Sequence, residues 1–234
     1  MAERVTQSLL EALPASVRRS LVAVCTSHRF HKGHLLFEED QPARSVWIVE
    51  QGCVYLVKHT PQGGVATIFV ITPHEALCGI SALDHGRYSA GAVAATEAVV
   101  LEIPSEMFVR LLRTYPQFMA RVLLICCNRM RHMAEAISVG QAPVPQRLAY
   151  ALLRLRSTFG NTIPVTHQEL AQMAGTRWET SIRTIASFKR KHWLSTSRGK
   201  MTILRPDQLK TLLAPSARNH FTRHEDGQAP IGEG

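Results

Sequence analysis

Between Thr166 and Lys200 the chain sets seven basic side chains, Arg177, Arg183, Lys189, Arg190, Lys191, Arg198 and Lys200, against two carboxylates, Glu169 and Glu179. Charge concentrated in this way favours a polyanion through counterion release. Glu179 and Arg183 stand four residues apart, the spacing that puts two side chains on one helical face. A carboxylate can accept from cytosine N4 and a guanidinium can grip guanine O6 and N7, each good contact giving about 1–3 kcal/mol of discrimination. The plain alternative is a solvated ion pair on an ordinary surface helix, worth about 0.2–0.5 kcal/mol.

The flanking residues say what must hold that pair. Leu170, Ala171 and Ala174 share one helical face, Gly175 permits a tight turn, and Ile182 and Ile185 give a second helix an inward side. Arg177, Glu179, Thr180 and Arg183 then point outward, and Trp178 has one donor and a large apolar face for a thymine methyl or a sugar. Thr166 followed by Glu169 is the capping-box pattern, with Ile163-Pro-Val165 entering it as a short strand. After the second helix, Trp193-Leu-Ser-Thr and Met201-Thr-Ile-Leu204 read as two strands joined at Ser-Arg-Gly-Lys. Helix, turn, helix and hairpin make a winged helix-turn-helix, a unit that reads double-stranded DNA, with Arg198 and Lys200 at the wing tip near phosphates.

The chain has 234 residues and a formal charge of +9, far more length than a winged helix needs, so a second domain with its own core is expected. No run of eighteen apolar residues occurs, and Met-Ala-Glu-Arg-Val lacks the order of an export signal. A cytoplasmic protein with no membrane partner is the expectation. Five cysteines, Cys25, Cys53, Cys78, Cys126 and Cys127, show neither zinc spacing nor a paired framework, so reduced thiols and no metal are expected. A Gly-rich phosphate loop and an activated nucleophile are both missing, which argues against an enzyme.

Along the chain, residues 1 to about 27 carry Leu9, Leu10, Leu13, Val17, Leu21 and Val24 at helical spacing around Pro14, predicting two short helices. Short β-rich runs follow, namely Leu35–Phe37, Val46–Val49, Cys53–Val57, Val65–Ile71, Ala92–Ala94 and Val99–Ile103, with turn residues between them. They predict an antiparallel β-roll of the jelly-roll or cupin kind over residues 1–104. Ser105 can cap a helix beginning at Glu106. After Pro116, Met119, Leu123, Cys126, Met130, Met133 and Ile137 form a seam with a 3.5-residue period. Such a seam wants a partner helix, so residues 105–138 are read as a long dimerisation helix in a homodimer; packing on the roll of the same chain is the alternative. Residues 139–144 read as a hinge, 145–214 as the winged helix-turn-helix and 215–234 as a disordered tail. The fold class is therefore α+β.

The order of parts, roll, long helix, hinge and winged helix, resembles the Crp/Fnr family of bacterial transcription regulators over residues 15 to 210. Gly33 to Glu39, Ile48-Val-Glu-Gln-Gly52 and the reader pattern Thr-x-x-Glu-Leu-Ala…Gly-x-x-x-x-Glu-Thr-x-x-Arg carry the likeness. The resemblance implies that Glu179 and Arg183 read base edges in each half of an inverted repeat, and that RNA polymerase is a partner. Trp178 and Ile182 depart from the residues usual in the family, so neither known consensus site transfers unchanged.

The resemblance also places an effector pocket at Gly79, Ile80, Tyr88, Ser89, Met133 and Ala134. Members that bind cyclic nucleotides carry a glutamate for the ribose and an arginine for the phosphate, where this chain has Ile80 and Tyr88. Met133 and Ala134 cannot hydrogen-bond a purine with their side chains. Cyclic AMP binding in the usual mode is therefore not expected. Only Cys25 precedes Cys53, so an iron–sulfur cluster lacks ligands, and the spacing of His74 and Cys78 does not suit haem. Two alternatives remain open: an apolar or aromatic ligand between roll and helix, or a regulator with no ligand. A different class of function is a ligand-binding module whose winged helix contacts protein rather than DNA.

Overall fold

Both faces of one strand are buried in the first domain, and that burial pattern organises it. In the computed structural model, which describes residues 9–213 apart from 62, 78 and 85, β3 (Ser45–Gln51) sends Trp47 and Val49 into one core and Val46 and Ile48 into another. The first core lies between two antiparallel four-stranded sheets. One sheet runs β1 (Thr26–Phe30), β8 (Ala98–Pro104), β3, β6 (Ala76–Leu77), and the other runs β2 (Leu35–Phe37), β7 (Gly91–Ala94), β4 (Val54–His59), β5 (Val65–Ile71). Period-two alternation decides which side chains meet there, among them Phe37, Val54, Leu56, Ile71 and Val100. At Gly52, φ is +76° and an added Cβ would meet the Glu97 carbonyl at 2.0 Å, so only glycine turns the chain between β3 and β4.

The second core covers the outer face of the β1-β8-β3-β6 sheet with helices. It joins a 3₁₀ turn at Leu9–Ala12, α1 (Ala15–Val24), α3 (Ser105–Thr114) and the first two turns of α4 (Pro116–Gly140) through Leu9, Leu21, Phe108, Leu112 and Phe118. A short α2 (Gly79–Leu83) follows β6. The segment 105–138, read from sequence as one dimerisation helix, is two helices. Tyr115 is extended and Pro116 restarts the helix, because proline's missing N–H and fixed φ suit a first turn and not an interior. Ser105 is not the cap expected of it either. It lies inside α3, and its hydroxyl donates to the Ala43 carbonyl at 2.7 Å.

In α4, Phe118 and Val122 are buried, whereas Met119, Leu123, Met130, Met133 and Ile137 are exposed and Cys126 is half-buried. The helix ends at Gly140, and 141–143 connect it to α5 (Val144–Phe159), so the linker is shorter than the expected 139–144. The second domain packs α5, α6 (His167–Met173), α7 (Trp178–Arg190) and α8 (Pro206–Leu213) against a sheet ordered β10 (Leu194–Ser197), β11 (Lys200–Ile203), β9 (Thr162–Ile163). Leu148, Leu152, Leu170, Ile185, Phe188 and Met201 form its centre. The expected strand Ile163–Val165 is shifted, ending at Ile163 because Pro164 has no N–H for a ladder. The tail 215–234 and Cys78 lie outside the described residues.

Candidate nucleic-acid interface

The first reader helix starts on a complete capping box. The Thr166 hydroxyl accepts from the Glu169 N–H at 3.2 Å, and Glu169 Oε2 accepts from the Thr166 N–H at 2.6 Å. Two N–H groups that an α-helix leaves without partners are thereby satisfied, which stabilises the start by about 0.5–2 kcal/mol. Gly175 turns the chain with φ +55°, and Arg147 from α5 donates to its carbonyl at 2.9 Å. The turn geometry and the angle between α6 and α7 are thus tied to the third helix of the domain.

α7 buries Ser181, Ile185 and Phe188 against that core. Ile182, expected on the inward face, is only half-buried; the inward position one turn before Ile185 is Ser181, whose hydroxyl lies 3.4 Å from the His167 carbonyl. A small residue there lets α7 approach α6 closely. The opposite face carries Arg177 at the helix start, then Glu179 and Arg183, all exposed, with Thr180 half-buried beside them. No ion pair joins Glu179 to Arg183 among the described residues, so the plain surface-pair alternative is not the arrangement adopted. Trp178 is 52% exposed at the first position of α7, a large ring left in solvent at the helix end that approaches bases in such motifs.

Lys189 and Arg190 in the last turn of α7, and Lys191 after it, are exposed. Lys191 lies over the Trp193 ring with Nζ 4.7 Å from its centroid. Burial, and then the positive charge of Lys189, hold His167 below the usual histidine pKa, so His167 adds no charge near neutral pH. Arg198 and Lys200 flank Gly199, whose φ of +70° makes the turn between β10 and β11, and both are exposed at the wing tip. The structure therefore brings Arg177, Trp178, Glu179, Thr180, Arg183, Lys189, Arg198 and Lys200 onto the reader's surface, with Thr166 committed to the cap.

Of the six residues assigned to an effector pocket, the described side chains are those of Tyr88, Ser89, Met133 and Ala134. Tyr88, expected to line a pocket, is a buried residue of the core between the two sheets. Its ring stacks on Phe37 with centroids 4.0 Å apart, its hydroxyl donates to the Ser45 carbonyl at 2.9 Å, and it accepts from Trp47 Nε1 at 3.1 Å. This side chain fills space between the two sheets. Ser89 is exposed and its carbonyl accepts from Lys58 Nζ, while Met133 and Ala134 are exposed on α4. Gly79 begins α2 and Ile80 follows it. Cys53 is buried, and burial pushes its thiol pKa up to about 11, so it is an inert core thiol.

The profile of the cyclic nucleotide-binding domain family matches residues 27–115, and that of the Crp-like helix-turn-helix domain matches residues 146–212. The two fall on the roll and on the reader, in that order. The chain belongs to the Crp/Fnr family. Its relatives in that family include a CRP-like cAMP-activated global transcriptional regulator of Mycobacterium tuberculosis, 25% identical over 177 residues, which are 70% of this chain and 78% of the relative. A cyclic AMP receptor protein of Thermus thermophilus is 29% identical over 160 residues, 67% of this chain and 73% of that protein. Among solved structures, FixK2 from Bradyrhizobium japonicum superposes with a TM-score of 0.72 at 17% identity, covering 82% of this chain and 99% of that one. That likeness shows the shared fold. This member of the Crp/Fnr family is a transcription regulator with an α+β fold and a DNA-binding reader.

Two features of the interface were not legible in the sequence. One is Ser181, since a serine carries no hydrophobic signal at an inward position. The other is a contact between domains, in which Lys32 Nζ of the roll lies 3.1 Å from Glu169 Oε1 of α6. Beside it, Tyr55 and Cys53 of the roll pack with Phe159 and Met173 of the reader. Residues so far apart in sequence leave no local pattern.

Proposed function

We propose that two copies of this chain form a homodimer that reads an inverted-repeat DNA site, each copy inserting α7 into a major groove and contacting base edges with Glu179 and Arg183. The observation that carries this reading is the polarity of α7. One face is sealed in the domain core, and the other presents an unpaired carboxylate and guanidinium, framed by Trp178 and Arg177 at one end and Lys189 and Arg190 at the other. Arg198 and Lys200 contact phosphates and position the helix without selecting sequence. The exposed apolar residues Met119, Leu123, Met130, Met133 and Ile137, with Cys126, pair across the two-fold axis. Such a dimer works in the cytoplasm, where the chromosome and RNA polymerase are, and no catalytic step enters its action.

Cyclic AMP in the usual mode is not its effector. What supports this is the absence of a charged anchor at Ile80 and Tyr88, together with the Tyr88 ring inside the roll. DNA selection with the purified full chain tests the reading. The expected product is an inverted repeat whose half-sites lie about one or two helical turns apart, roughly 34–36 Å per turn. Enrichment of no motif, together with capture of a specific protein by the winged helix, would support the protein-contact alternative instead.

A further inference from the structure

A cleft of about 330 Å³ opens where the roll meets the reader, and its walls come from both domains. β5 contributes Thr67 to Ile71, the second half of α4 contributes Arg129 and His132, and α5 contributes Tyr150, Arg154 and Leu155. Among the described side chains, Tyr88, Ser89, Met133 and Ala134, assigned to the roll's own effector pocket, do not line it. The size falls at the lower end of small-molecule sites, about 300–1,000 Å³, and junctions between domains are a common place for them.

The lining has a polar end with unused capacity. Two carboxylates face the cleft and both are occupied: Glu75 Oε2 accepts from the Thr72 N–H and hydroxyl at 2.8 and 3.0 Å, and Glu135 Oε2 accepts from the Tyr150 hydroxyl at 3.3 Å. Arg129 reaches the Ala76 carbonyl and lies over the Phe69 ring. Arg154 has its guanidinium carbon 5.9 Å from the Tyr150 ring centroid and donates to the Tyr150 hydroxyl, and among the described residues no carboxylate pairs with it. A guanidinium has five N–H donors, so with one on the phenol it keeps others for a carboxylate, sulfonate or phosphate. Thr67 belongs to the same lining, and its hydroxyl is buried with no hydrogen-bond partner, a destabilising state until something bonds to it. Phe69, Leu155 and Met173 add apolar surface to the lining.

We propose that this cleft binds a small amphipathic organic anion: one acidic group on Arg154, an aromatic or aliphatic body against Phe69, Leu155 and Met173, and one polar atom at Thr67. Because the walls belong to the roll and to the reader, the ligand binds only while the two are apposed as here. It therefore shifts the reader's position by its differential affinity for this arrangement. This second step rests on the DNA-reading function proposed above; the binding site itself does not.

The probe is anilinonaphthalene sulfonate, an aromatic anion whose fluorescence rises on leaving water, titrated into the full-length protein. Saturable binding at one site per chain is expected, weakened about tenfold or more in Arg154→Gln by loss of a charge-assisted hydrogen bond. Ser157→Trp, at an exposed position on the cleft's rim, should abolish the site by filling it while the circular dichroism spectrum and thermal transition stay as in the wild type. Equal dye binding by all three proteins would place the dye on another apolar surface and overturn the site, as would no binding at all. The dye should change the DNA affinity of the wild type and leave that of Ser157→Trp unaltered; an unaltered wild type overturns the coupling. DNA motifs selected without dye should be the same for all three proteins, so a failure of the DNA-reading proposal shows separately, as no motif in any of them.

Discussion

Lys32 Nζ and Glu169 Oε1 lie 3.1 Å apart, joining the roll to the residue that completes the capping box of the reader's first helix. The lysine is 42% exposed and the glutamate 19%, so the bridge itself sits in screened surroundings. Glu169 does two things and Lys32 one. Lys32→Ala should therefore change the reader's stability by less than about 1 kcal/mol. Glu169→Ala, which also removes the cap's carboxylate, should cost about 1–2 kcal/mol. Urea unfolding followed by Trp fluorescence separates the two; equal effects would mean the capping box is not what stabilises α6.

Tyr88 makes a second test of how the roll is filled. Its hydroxyl joins Trp47 Nε1 to the Ser45 carbonyl in the buried interior. Tyr88→Phe leaves both partners unsatisfied and should destabilise the protein by about 1–3 kcal/mol. Tyr88→Ala removes the ring stacked on Phe37 as well and should cost about 3–5 kcal/mol. Chemical denaturation measures both, and a neutral Tyr88→Phe would show that the hydroxyl is solvated.

The acid limb of stability should report Glu39. Hydrogen bonding from Lys58, and then from the His59 N–H, holds its carboxyl at about 2, below its usual 4.5. A folded-state pKa below the unfolded one favours folding above pH 4.5, and this contribution is lost as pH falls from 4.5 through 2. Glu39→Gln should flatten the stability profile across that window and leave it unchanged in slope above pH 5. A profile identical to that of the wild type would mean the carboxylate is not held in this way.

Much of the architecture is legible in the sequence. The strand Val65–Ile71 and the wing strands declared themselves by β-branched runs between turns, and the reader by its cap, its glycine and its apolar spacing. What escaped was structure with weak local chemistry. β1 reads Thr-Ser-His-Arg-Phe, almost without apolar residues, and forms because β8 pairs with it in register from Thr26–Glu102 to Phe30–Ala98. The break at Tyr115 was signalled by Pro116, after which the long seam was expected to begin. The packing of Tyr88 on Phe37 was not legible, because sequence position does not say what a ring touches. The cleft between the domains was invisible because β5, α4 and α5 meet only in three dimensions.

Along α4 the side chains buried in the chain's own core are distinct from those proposed to face a second copy. Met130 and Ile137 are 69% and 67% exposed in the single chain, whereas Val122 is 8% exposed. Met130→Glu combined with Ile137→Glu should leave the far-ultraviolet circular dichroism intact. It should raise the dimer dissociation constant at least about a hundredfold, because each buried unpaired carboxylate costs several kcal/mol. Val122→Glu should instead disrupt the fold. Sedimentation velocity decides this, and an unaltered mass for the double variant would move the interface elsewhere.

DNA selection with Arg183→Ala, compared side by side with the wild type, is the most direct test of the reading helix. Loss of preference at one base pair in each half-site, by about 1–3 kcal/mol, with the flanking positions retained, is the predicted result. A motif as sharp at every position as that of the wild type would contradict the assignment of α7 as the element that reads sequence.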